Sequence, residues 1–85
     1  MVSAEGVRSL RRAALGDALR EARREAGLTQ EALAHLAGLD RSFYVDLENG
    51  HHSTTVDRLC DLADALGVTA ATLLQAAAFS PHRRA

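Results

Sequence analysis

The chain has 85 residues, enough for one small domain and too few for most large enzyme folds. Hydrophobic residues make up 47% and aromatic residues 4%, so a core built from them is aliphatic. Ten arginines, with no lysine, stand against eleven acids for a net charge of -1, which excludes a uniformly basic nucleic-acid binder.

In chain order, Leu15, Leu19, Ala22 and Ala26 recur at i, i+4, i+7 and i+11, one apolar face of a helix whose other side carries Asp17, Arg20, Glu21, Arg24 and Glu25. Gly27 closes it. Thr29 is placed to cap a second, shorter helix, with Gln30 and Glu31 in its first turn, Leu33, Leu36 and Ala37 inward, and Gly38 as its stop. Asp40 caps a third helix from Arg41 to about Glu48, ended by Asn49 and Gly50. Beyond the polar His51-His52-Ser53-Thr54, Thr55 opens a fourth, with Leu59, Leu62, Ala63 and Leu66 as its stripe and Gly67 at its end. Thr69 opens a fifth, apolar at Leu73, Leu74 and Ala77, running to about Phe79 before Pro81. No segment alternates with period two for long enough to make a strand, and no repeat is present. The expected fold is all-α and five-helical. Residues 1–13 form an N-terminal arm or helix extension, 14–78 the domain and 79–85 a tail.

Cys60 has no partner for an internal disulfide and, like the histidines, lacks metal-ligand spacing. With no apolar run of membrane-spanning length and no hydrophobic stretch after the N-terminal arginines, a cytoplasmic address is expected, without membrane contact. No paired-carboxylate, nucleophile-base or phosphate-loop pattern points to an enzyme, and no metal, cofactor or small-molecule ligand is expected.

The informative unit is Thr29 to Glu48, two helices of about two turns joined by Gly38, Leu39 and Asp40. A short turn containing glycine is the helix-turn-helix spacing, in which the second helix can lie in a DNA major groove. Many all-α domains have such a corner without DNA, so spacing leaves both readings open. Residue identity favours the first. The chain resembles the Cro and phage-repressor, or xenobiotic-response-element, type of helix-turn-helix regulator, and does so in order and without gaps over about Ala14 to Leu74. The resemblance is carried by Leu15-Gly16, Leu19-Arg20, Arg23, Gly27-Leu28-Thr29-Gln30-Glu31, Leu33-Ala34, Ala37 to Ser42, Glu48-Asn49-Gly50 and Leu62 to Val68. It implies a compact lambda-repressor-like domain of five helices, a transcriptional regulator that binds a two-fold symmetric double-stranded DNA operator as a homodimer.

A helical wheel of Arg41 to Glu48 turns Tyr44 and Leu47 inward, with Phe43 and Glu48 at the flanks and Ser42, Val45, Asp46 and the edge residue Arg41 outward. Base readout is therefore expected from Arg41, Ser42, Val45 and Asp46. The Arg41 guanidinium can pair bidentately with guanine, and Val45 can touch a thymine methyl. Asp46, repelled by phosphates, is expected to orient Arg41 or to discriminate against wrong sequences. Phosphate contacts are expected from Gln30, which the resemblance places at one, and from Phe43, Asn49, His51 and His52. Partial protonation near neutral pH would strengthen the histidines' contact. The resemblance also joins Arg23 and Glu48 in a partly buried structural ion pair.

Charge is uneven along the chain. Residues 1–24 carry a local +3, with Arg8, Arg11 and Arg12 able to touch phosphate, whereas residues 40–64 carry -4, so the fourth helix is expected to face away from DNA. Leu73, Leu74, Ala77 and Phe79 are expected to form a dimer interface, because one reading helix buries too little surface for tight specific binding. Arg83 and Arg84 end the tail. The alternative to a DNA-binding repressor or autoregulator is a protein-interaction module of the same fold, an antitoxin or bridging factor, favoured by the near-neutral charge and by the apolar or acidic Phe43, Val45 and Asp46 of the third helix.

Overall fold

The computed structural model describes residues 3–81, so Arg83 and Arg84 lie outside the described residues. These residues form α1 (Ala4–Glu25), α2 (Gln30–Leu36), α3 (Arg41–Glu48), α4 (Val56–Leu66) and α5 (Ala70–Ala78), with no strand among them. Each helix opens on a side-chain oxygen: Ser3, Thr29, Asp40, Thr55 and Thr69 each accept the backbone N–H three residues on, satisfying a donor that has no partner within the helix.

Four helices end alike. The residue after the terminal glycine donates its N–H back to a carbonyl in the last turn: Leu28 to Arg23, Leu39 to Ala34, His51 to Asp46 and Val68 to Ala63, at 2.8 to 3.1 Å. This is the Schellman arrangement, which sets the residue past the glycine beside the helix's last turn. Leu28, Leu39 and Val68 use it to pack on the core. His51 occupies the same position in α3 and is exposed.

The core is aliphatic around one aromatic: Leu19, Leu33, Leu47, Leu62 and Leu73 surround Tyr44, all at 1% exposure or less. Leu36, expected inward, is 60% exposed, because the buried side of α2 runs through Leu33, Ala34 and Ala37. Leu73, expected at a dimer interface, belongs instead to this core, while Ala77, 9% exposed, closes on Ala14 and Ala18 where α5 crosses α1. Ser80, just past α5, donates to Asp17 at 2.8 Å and ties that end to α1.

The first helix is longer than its apolar face. Ser3 caps it at Gly6, and Glu5 pairs with Arg12 at 2.6 Å, so residues 4–13 continue α1 as a helix extension and do not form a free arm.

Candidate nucleic-acid interface

Helix α3 is fixed from behind by one carboxylate. Glu48, 2% exposed at the last turn of α3, accepts from Arg23 Nε at Oε2 and from Arg23 Nη2 at Oε1, both at 2.9 Å. Arg20 Nε reaches Oε1 at 3.3 Å, Gln30 Nε2 reaches it at 3.2 Å, and the Tyr44 hydroxyl donates to Oε2 at 2.5 Å. Arg23 Nη1 also donates to the Leu28 carbonyl, in the turn between α1 and α2, at 2.9 Å. One buried charge thus joins α1, α2 and α3, and its neighbours satisfy it with five donated hydrogen bonds. A buried ion pair is tolerated only when it is so surrounded.

The electrostatics follow from this coordination. Burial alone would raise the Glu48 pKa, but the Arg23 hydrogen bonds first, then Tyr44, the Arg23 charge and Gln30 outweigh it and bring it to about 2. The Tyr44 hydroxyl is pushed up by burial and by the adjacent carboxylate, and stays protonated as a donor. Arg23 is raised by its hydrogen bond to Glu48.

Held this way, α3 turns its other side to solvent. Arg41 and Ser42 are exposed, Val45 and Asp46 half-buried, and Asn49 is exposed at the C-cap. At 100° per residue Arg41, Val45, Asn49, Ser42 and Asp46 share an arc of about 140°. Arg41 borders the cleft between α2 and α3 together with Thr29, Glu31, His35 and Asp40.

Three side chains sit differently from their expected roles. Asp46 does not pair with Arg41; its carboxylate faces His51, with Nδ1 3.8 Å from Oδ1, and His52, with Nε2 3.5 Å from Oδ2. Phe43, half-buried, is stacked against His52 with ring centres 5.8 Å apart, and the Arg58 guanidinium lies 4.7 Å from its ring centre. Gln30 commits one amide hydrogen to Glu48, which leaves it the second.

Sequence reasoning missed Arg20, Gln30 and Tyr44 as partners of Glu48, and missed Arg58 altogether. The spacing of Tyr44 and Glu48, four residues apart on one helix, carries the signal for that pair. Nothing local in the sequence announces that Arg58 of α4 reaches Phe43.

The remaining apolar surface is divided. Leu74, 54% exposed, and Val56, 75% exposed, line a groove between α1, α4 and α5, whereas Phe79, 61% exposed, stands beside Ala71, Thr72, Gln75 and Ala76. The four residues expected at one dimer interface therefore do not form one patch.

Two short helices joined through a glycine turn, the second pinned from behind and bare in front, define a helix-turn-helix protein. The helix-turn-helix family profile matches residues 19–73, and the chain belongs to that family, in its xenobiotic-response-element type. It is 45% identical over 47 residues to an uncharacterized HTH-type transcriptional regulator, y4dJ, of Sinorhizobium fredii strain NGR234; that stretch is 55% of this chain and 61% of the relative, so the match spans less than two thirds of that protein. Among solved structures it is similar to the clp gene regulator ClgR of Corynebacterium glutamicum, with a TM-score of 0.78 and 34% identity over 80% of this chain and 72% of that one. It is also similar to the restriction-modification controller protein C.AhdI of Aeromonas hydrophila, with a TM-score of 0.72 and 39% identity over 73% of this chain and 94% of that one.

Proposed function

We propose that this chain is a sequence-specific double-stranded DNA-binding regulator, a homodimer on a two-fold symmetric operator, with α3 in the major groove. The observation that carries this is the division of α3: Tyr44, Leu47 and Glu48 are bound into the protein, while Arg41, Ser42, Val45 and Asp46 stand outward. Arg41 lies in the first turn of α3, the end from which a recognition helix reads bases. Gln30 with its second amide hydrogen, Asn49 and the two histidines contact phosphates on either flank. The protein acts as a repressor or autoregulator by occupying its operator, in the cytoplasm where the DNA is. Two protomers are required because one small module buries only about 600 to 1,000 Å² on DNA. The Val56 and Leu74 groove, the larger of the two apolar surfaces at α5, receives the second copy.

A salt titration tests DNA against protein as the partner. Binding to duplex through several phosphates weakens as a power of salt concentration, with a slope of about -0.9 per phosphate neutralised. A slope near zero, or no binding to duplex, favours the protein-interaction module, for which the acidic Asp46 on the reading face is the supporting observation.

A further inference from the structure

We propose that DNA binding by this protein takes up protons at His51 and His52, which with Asp46 form a charge-reversing cluster at the C-terminal end of α3. The inference rests on the DNA-binding reading and adds to it a chemical state of the bound protein.

The cluster is built by the backbone. Gly50, at φ +78°, turns the chain so that its N–H meets the Leu47 carbonyl at 3.1 Å and the His51 N–H meets the Asp46 carbonyl at 2.8 Å. A side chain on residue 50 would also press on the Ala13 backbone, at 3.0 Å from its Cα, so this turn has little freedom to be otherwise. The residue past such a glycine ordinarily makes an apolar contact with the last helical turn, as Leu28, Leu39 and Val68 do in packing on the core. At α3 the turn instead sets an imidazole beside a carboxylate. His52 completes the set, its ring held by Phe43 while its Nε2 reaches the other Asp46 oxygen.

Charges of both signs surround the cluster. Among the described residues Asp46 of α3 is the acid that faces it; Arg58 of α4 lies over the Phe43 ring, and Arg11 and Arg12 of α1 line the groove that His52 borders, with Arg12 itself paired to Glu5. With both histidines neutral the cluster presents a net charge of about -1 to phosphate, and with both protonated about +1. Histidine changes charge between about pH 5 and 8, and a nearby phosphate favours the protonated form, so binding and proton uptake are coupled. All three side chains are accessible, at 44% exposure for Asp46, 68% for His51 and 54% for His52.

The test is fluorescence anisotropy at constant ionic strength, from pH 8 to pH 6, on the duplex recovered by site selection and on a scrambled duplex of equal length. The wild type is expected to bind both duplexes at least about fivefold more tightly at pH 6, with a salt slope steeper by about 0.9 for each histidine recruited. The double variant His51→Gln, His52→Gln is expected to change less than about twofold over the same range. The double variant His51→Arg, His52→Arg, permanently charged, is expected to bind at pH 8 as tightly as the wild type does at pH 6. A flat wild-type profile, or a pH dependence that survives in the glutamine variant, overturns the proposal. Equal affinity for selected and scrambled duplexes with the pH dependence intact removes sequence specificity and leaves the proton linkage standing; no binding at any pH overturns both.

Discussion

Gly16 of α1 lies directly against the backbone carbonyl of Glu48 at the end of α3, so close that a β-carbon on residue 16 would overlap that oxygen. The contact lets Arg20 and Arg23, one and two turns further along α1, reach the Glu48 carboxylate. The position of α3 thus depends on an absent side chain. Gly16→Ala is expected to destabilise the fold by about 3 kcal/mol or more, the upper range of overpacking, although alanine is otherwise the better helix former. Urea denaturation read by circular dichroism checks the sign: a stabilised or neutral variant would show that the helices separate at little cost.

The Glu48 cluster makes stability depend on acid. Its folded pKa, about 2, lies below the ordinary 4.5, so its contribution is fully present above about pH 4.5 and is lost as pH falls towards 2. The difference corresponds to about 3 kcal/mol. Glu48→Gln removes this acid dependence and leaves Arg23 without its counter-charge, at a cost of about 3 to 5 kcal/mol at pH 7. Denaturation midpoints at pH 7, 4 and 3 for wild type and variant measure both effects. A variant that keeps the wild-type slope between pH 4 and 3 would move the acid sensitivity to another carboxylate.

Two neighbouring leucines of α5 separate folding from assembly. Leu73→Ala is expected to cost about 2 to 5 kcal/mol of protomer stability, since it opens a void in the core. Leu74→Asp, on the groove, is expected to leave protomer stability within about 0.5 kcal/mol and to raise the dimer dissociation constant by tenfold or more. Sedimentation velocity over a concentration series, with thermal melts below the dissociation constant, distinguishes the two. A Leu74→Asp protein that dimerises as the wild type does would place the interface elsewhere, with Phe79 the next surface to examine.

Helix order, caps and stops were legible in the sequence because each signal is local: an oxygen side chain three residues ahead of the N–H that it accepts, and a glycine where the chain reverses. The N-terminal ten residues of α1 were less legible, since they precede the apolar stripe that marks its buried face. Leu36 and Leu73 show the limit of periodicity, which finds an apolar face but not which of its members the neighbouring helices cover. The site was legible in part. Resemblance joins Arg23 and Glu48, and four-residue spacing on α3 carries Tyr44 to the same carboxylate, whereas Arg20 and Gln30 reach it from other helices through tertiary packing. For Asp46 the sequence offers orienting Arg41 or discriminating against wrong sequences, whereas the side chains it faces, His51 and His52, come from the turn that follows α3. Local patterning does not encode where a turn places the side chain beyond it.

The most direct measurement is selection of binding sites from random duplexes by the wild type and by Arg41→Ala, at two salt concentrations. The account predicts a two-fold symmetric motif with half-site centres about 34 to 36 Å apart for the wild type. In Arg41→Ala it predicts loss of preference at one base pair of each half-site, worth about 1 to 3 kcal/mol. An enriched motif without symmetry, or one unchanged by Arg41→Ala, would contradict it.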